Sequence, residues 1–124
     1  MRKSRVVVVG DHPQLVDALV DLISEEADIE LVGVARNGAE AIALARTAEL
    51  DVVLFDLEAT TAGAELASVI YHLSHHEPRI RLIALSSYDD DAAVRRILGA
   101  GFHRHVSKIS GDEDLAKIVL EEHV

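Results

Sequence analysis

Two hydrophobic rhythms alternate along the 124 residues. Short β-branched runs occur at Arg5–Val9, Glu30–Ala35, Asp51–Phe55, Ile80–Leu85 and Phe102–Val106. Val52-Val53-Leu54-Phe55 is apolar at every position, the pattern of a strand covered on both faces. Between the runs, helical spacing predicts helices over 13–26, 38–48, 63–75, 90–99 and 112–122. In the first of these Leu15, Val16, Leu19, Leu22 and Ile23 form one stripe, with Asp17, Asp21 and Ser24 opposite. Pro13 suits a first helical turn, while Asn37-Gly38 and Gly99-Ala100-Gly101 punctuate helix boundaries.

Strands alternating with helices imply right-handed βαβ units. The expected fold is α/β: a flavodoxin-like (βα)5 three-layer sandwich with a five-stranded parallel sheet in order 2-1-3-4-5. Residues 1–124 are expected to form one domain. In this order the crevice lies at the carboxyl ends of strands 1 and 3. Strand 1 runs into Gly10-Asp11, strand 3 into Asp56, strand 4 into Ser86-Ser87 and strand 5 into Ser107-Lys108. Carboxylates beside backbone carbonyls suit a hard cation such as Mg²⁺. A carboxylate that also meets an ammonium and a hydroxyl can accept a phosphoryl group, because those donors neutralise its oxygens.

Composition narrows the partners. Twelve basic residues against 22 acidic ones give a formal charge of -10, unsuited to duplex DNA or an anionic membrane. There is no cysteine, hence no disulfide framework and no thiolate metal site. Wholly apolar runs such as Val6–Val9 are too short to span a bilayer or serve as a signal core, and a cytoplasmic location is expected.

With these residues in place, the chain resembles the receiver domain of bacterial two-component response regulators over essentially its whole length. The segments Arg5-Val6-Val7-Val8-Val9-Gly10-Asp11-His12-Pro13, Asp28-Ile29-Glu30-Leu31-Val32-Gly33 and Gly99-Ala100-Gly101 look like the LuxR/NarL-type transcriptional branch. The resemblance implies that Asp56 accepts a phosphoryl group from a sensor histidine kinase in a Mg²⁺-dependent reaction. It implies that Asp11, Asp56 and the backbone carbonyl of Glu58 hold the metal. Ser86 would be the switch hydroxyl, Lys108 the phosphoryl partner and His105 the switch position on strand 5. The output would be transcriptional, with DNA contacts made by a C-terminal domain beyond these residues. Such a protein is a phosphoacceptor, not an enzyme in the usual sense.

Several positions depart from the family pattern. Gly10 stands where relatives carry the first acid of a pair, so metal binding is expected to be weak. Thr60 replaces a proline, Ala64 a glycine (with Gly63 one place early), and Ile109 follows the lysine where many relatives have proline. His105 replaces an aromatic.

Two alternatives follow from the same residues. One is a receiver-like module that is never phosphorylated and acts by dimerisation or ligand binding. The other is a haloacid-dehalogenase-like phosphatase, since Phe55-Asp56-Leu57-Glu58-Ala59-Thr60 resembles that family's first motif. Against it, the motif belongs on a first strand and the chain lacks length for a cap. His72, His75 and His76 read as a solvated helix end, Asp89-Asp90-Asp91 as an acidic first turn, and Arg95-Arg96 as a solvated face. No glycine-rich phosphate loop supports nucleotide binding. Val20 and Leu120 lie just off the core stripes of helices 1 and 5, suggesting a homodimer through those two helices.

Overall fold

The computed structural model describes residues 3–57, 63–76, 79–87, 90–107 and 115–120, with backbone alone at 63–67 and 76. In chain order the elements are β1 (Ser4–Val9), α1 (Pro13–Ser24), β2 (Ile29–Ala35), α2 (Gly38–Thr47), β3 (Val52–Asp56), α3 (Gly63–His76), β4 (Arg81–Ser86), α4 (Asp91–Gly99), β5 (Arg104–Ser107) and α5 (Leu115–Leu120). The strands are all parallel and lie in the order β2-β1-β3-β4-β5, as the alternation predicts. The register of β1 against β2 shifts between Val6 and Val7, so Val32 is an extra residue on the edge strand.

Alternate strand residues feed two cores, one on each side of the sheet. Val7, Val9, Val53 and Phe55 pack with Ala41 of α2 and Leu73 of α3. Val6, Val8, Val52 and Leu54 pack with Ile23 of α1 and Val119 of α5. All five residues of β3 are buried, which explains the unbroken apolar run of the four that precede Asp56. Aromatics being few, one edge-to-face pair, Phe55 on Phe102 at 5.4 Å, sits among aliphatic neighbours.

Local chemistry sets the boundaries. The Asn37 side chain accepts the Glu40 amide at 3.0 Å, capping α2. Glu40 reaches back to accept the Arg36 amide at 2.8 Å, and that bond holds its carboxyl below the usual carboxylate range. Gly38 lets α2 approach α3 so closely that a Cβ there would collide with Val69. Asp90 caps α4 by accepting the Ala93 amide at 2.9 Å, so the helix starts one residue later than its acidic run implies. Gly101 adopts φ 124°, a conformation that favours glycine, at the turn into β5.

At the amino-terminal edge, Asp51 leaves β3 because its carboxylate accepts the Arg5 amide at 2.8 Å. The Arg5 guanidinium donates to the Glu49 carbonyl and to Glu30. Arg81, buried at the start of β4, donates to the carbonyls of Ile118 and Val119 at 3.2 Å and so fastens α5 to the sheet.

The helix stripes need correction. Leu22 was expected in the core of α1 but is 41% exposed. Leu19 and Ile23 hold the centre of the buried face, and Leu22 falls on its outer flank. Val20 and Leu120, the expected anchors of an α1–α5 patch, are each half-buried, Leu120 against the core itself.

Candidate functional site

The register gathers the candidate residues at the carboxyl edge. Val9 pairs with Phe55, which sets Gly10 beside Asp56. Asp56 pairs with Leu85, which sets Ser86 one step beyond it on the next strand, and Ser86 pairs in turn with Ser107. Asp56 is 2% exposed and Ser86 is fully buried, whereas Asp11 lies exposed where the chain leaves β1. Of the expected site residues, Glu58 and Lys108 lie outside the described residues, as do Thr60, Ile109 and the side chain of Ala64.

Gly10 and Asp56 are in close contact. A Cβ built on Gly10 would sit 3.3 Å from the Asp56 Cβ and 3.7 Å from its Oδ2. The position lacking an acid is therefore packed directly against the candidate acceptor. That relationship depends on strand register and is invisible in the sequence, where the two are 46 residues apart.

Two carboxylates at neighbouring strand ends are hard oxygen donors and suit a divalent cation, with one fewer charge than a two-acid pair would supply. Among the described residues, no three acids or histidines form a group able to hold a metal.

His105 lies opposite Ala84, two residues before the Ser86–Ser107 pair, on the face of the sheet covered by α3. It is half-buried, and its Nε2 is buried without a hydrogen-bond partner. The α3 histidines form no metal cluster among the described residues. His75 instead stacks on Tyr71 at 4.0 Å, with its Nδ1 2.9 Å from the Tyr71 carbonyl. No helix among the described residues is long and apolar enough to cross a membrane.

A family model described as the response regulator receiver domain matches residues 6–120. The response regulator protein VraR of Staphylococcus aureus is 30% identical over 115 residues, covering 93% of this chain and 54% of VraR. The chain thus spans about half the length of the curated relatives it matches. The signal receiver domain of the putative response regulator NarL from Mycobacterium tuberculosis superposes with a TM-score of 0.82 at 31% identity, covering 97% of this chain and 95% of that one. RcsB from Salmonella enterica serovar Typhimurium, solved on promoter rprA with phosphomimetic BeF3-, shares the fold at 19% identity and a TM-score of 0.79, covering 94% and 65%.

Proposed function

The chain belongs to the response regulator receiver domain family, and from that premise we propose that Asp56 is its phosphoacceptor. The observation that supports this most is the placement of an almost fully buried carboxylate at the carboxyl end of the central strand. Gly10 lies on one side of it and the Ser86 strand end on the other.

An Asp56 oxygen attacks the phosphorus of a phosphohistidine on a sensor kinase. The P–N bond breaks as the P–O bond forms, leaving an acyl phosphate. The Ser86 hydroxyl and the Lys108 ammonium neutralise the equatorial oxygens as charge redistributes. A Mg²⁺ ion held by Asp11, Asp56 and the Glu58 carbonyl supplies further neutralisation when bound. The Glu58 side chain offsets part of the charge missing at Gly10. His105, with its unsatisfied buried nitrogen, is the element that repacks when Ser86 moves.

The output in this reading is transcriptional and cytoplasmic, with DNA reached through a C-terminal domain outside these residues, a reading in keeping with a match that covers only 54% of VraR. A homodimer through α1 and α5 has less to rest on, because Val20 and Leu120 are half-buried.

Acetyl phosphate with Mg²⁺, followed by intact mass analysis, tests the reading. One phosphoryl adduct should form in the wild type and none in Asp56→Asn. An adduct that persists in Asp56→Asn removes Asp56 as acceptor. The absence of any adduct in the wild type favours the non-phosphorylated module.

A further inference from the structure

The charges of this chain are sorted in space. From Val6 to Ala35 there are seven acidic residues and no Lys or Arg; from Ala92 to Gly111 there are four Lys or Arg and no acid. The first stretch contains α1, which packs on one face of the sheet, and the second contains α4, whose Ile97 packs on the opposite face. The two surfaces cannot meet within one molecule.

Each surface also exposes a large apolar side chain. On α1, Asp17, Asp21 and Glu25 recur every four residues along the solvent side, and Leu22 stands beside them, 41% exposed. Val34, also 41% exposed, pairs with Val8 and so lies on the α1 side of the edge strand β2. On α4, Arg95 occupies the middle of the exposed face, with Arg96 on one flank and Leu98, 41% exposed, on the other. The side chains of Arg95, Arg96, Asp17, Asp21 and Glu25 make no hydrogen bond or ion pair with the described residues. Two acids stand at the start of α4: Asp90 is occupied as its cap, and exposed Asp91 lies four residues before Arg95 on the same face, leaving that face two guanidinia to one carboxylate.

We propose that the basic α4 face of one copy docks on the acidic α1 face of a second copy, each burying the other's exposed leucine. The occupant is fixed by complementarity: one surface offers carboxylates around Leu22, the other guanidinia beside Leu98. The contact is heterologous, so it does not close at a dimer. It is distinct from an α1–α5 dimer. Leu22 and Val20 are two positions apart, which places them roughly 160° apart around the helix. The formal charge of -10 opposes association at long range, but at physiological ionic strength the Debye length of about 8 Å screens that repulsion more than the direct contact.

Charge reversal supplies the test. Arg95→Glu/Arg96→Glu makes both surfaces acidic, and Asp17→Arg/Asp21→Arg makes both basic. In sedimentation equilibrium near physiological salt, the wild type should show a mass average that rises with concentration and passes the dimer. Each variant alone should associate about tenfold more weakly, and their equimolar mixture should recover wild-type behaviour. Recovery also shows that both variants are folded. Four results overturn the proposal: a wild type that stays monomeric, one that plateaus at dimer, a mixture no stronger than its components, or loss of association in Val20→Asp with none in the charge variants.

Discussion

The Nδ1 of His103 accepts the Leu82 amide at 2.9 Å, while the Leu82 carbonyl accepts the His103 amide at 2.8 Å. This two-point clasp ends the β4–β5 ladder with a side chain, which is why β5 begins at Arg104 although apolar patterning starts it at Phe102. Leu82 is almost fully buried, so its amide has no water to fall back on. His103→Leu should cost about 1–3 kcal/mol in urea denaturation, the usual penalty for a buried donor left unsatisfied. His103→Asn, which keeps an acceptor in nearly the same place, should recover most of that loss. Faster hydrogen exchange at the Leu82 amide in His103→Leu, and not in His103→Asn, locates the effect.

Restoring the acid at position 10 should have two opposing effects. A Cβ at Gly10 lies 3.3 Å from the Asp56 Cβ, so Asp56 must shift by a few tenths of an ångström. The new carboxylate also repels Asp56 when no cation lies between them. Gly10→Asp should therefore lower the melting temperature in EDTA and regain it with Mg²⁺, while calorimetry shows tighter Mg²⁺ binding and phosphorylation speeds up. Gly10→Ala, carrying the steric part alone, should lose stability equally with and without Mg²⁺. Glu58→Ala should weaken both binding and phosphorylation.

At His105 the wild type carries a cost. Its buried, unpartnered Nε2 has given up water without replacing it. His105→Phe removes that nitrogen and should stabilise the resting fold by about 1 kcal/mol. If the imidazole finds its partner only after Ser86 moves, the same substitution should reduce the shift in the β4–β5 amide resonances on beryllofluoride addition. Equal stability and equal shifts in the two proteins would mean that His105 plays no switching part.

Gly38 tests the packing of α2 on α3. An alanine there meets Val69, a β-branched side chain with little freedom to turn aside. Gly38→Ala should therefore destabilise by about 1–3 kcal/mol, despite alanine's higher helix propensity. Gly38→Ala/Val69→Ala should lose less than the sum of its single variants, as double-mutant thermal melts would show.

The strands were legible because their apolar runs answer to burial on two faces, and the sheet order followed from βα alternation. Asp56 was legible as the polar residue ending the most apolar strand. Leu22 was misread because helical periodicity locates a buried face but not which flank has a neighbour. α1 lies toward β2, where the sheet ends, so one flank meets solvent. The limits of β3 and β5 depend on Asp51 and His103 bonding partners 46 and 21 residues away, distances no local window covers. The Gly10–Asp56 contact depends in the same way on register.

The extra residue in β2 has a consequence for what the chain avoids. An exposed sheet edge is a template on which further strands can add, copy after copy. Here the shift at Val32 splits that edge into two short stretches, Ile29–Leu31 and Gly33–Ala35, that do not share one straight ladder. A strand arriving from solvent can match one stretch but not both. The edge of this five-stranded sheet is therefore a poor seed for fibrous growth, although it is rich in β-branched residues.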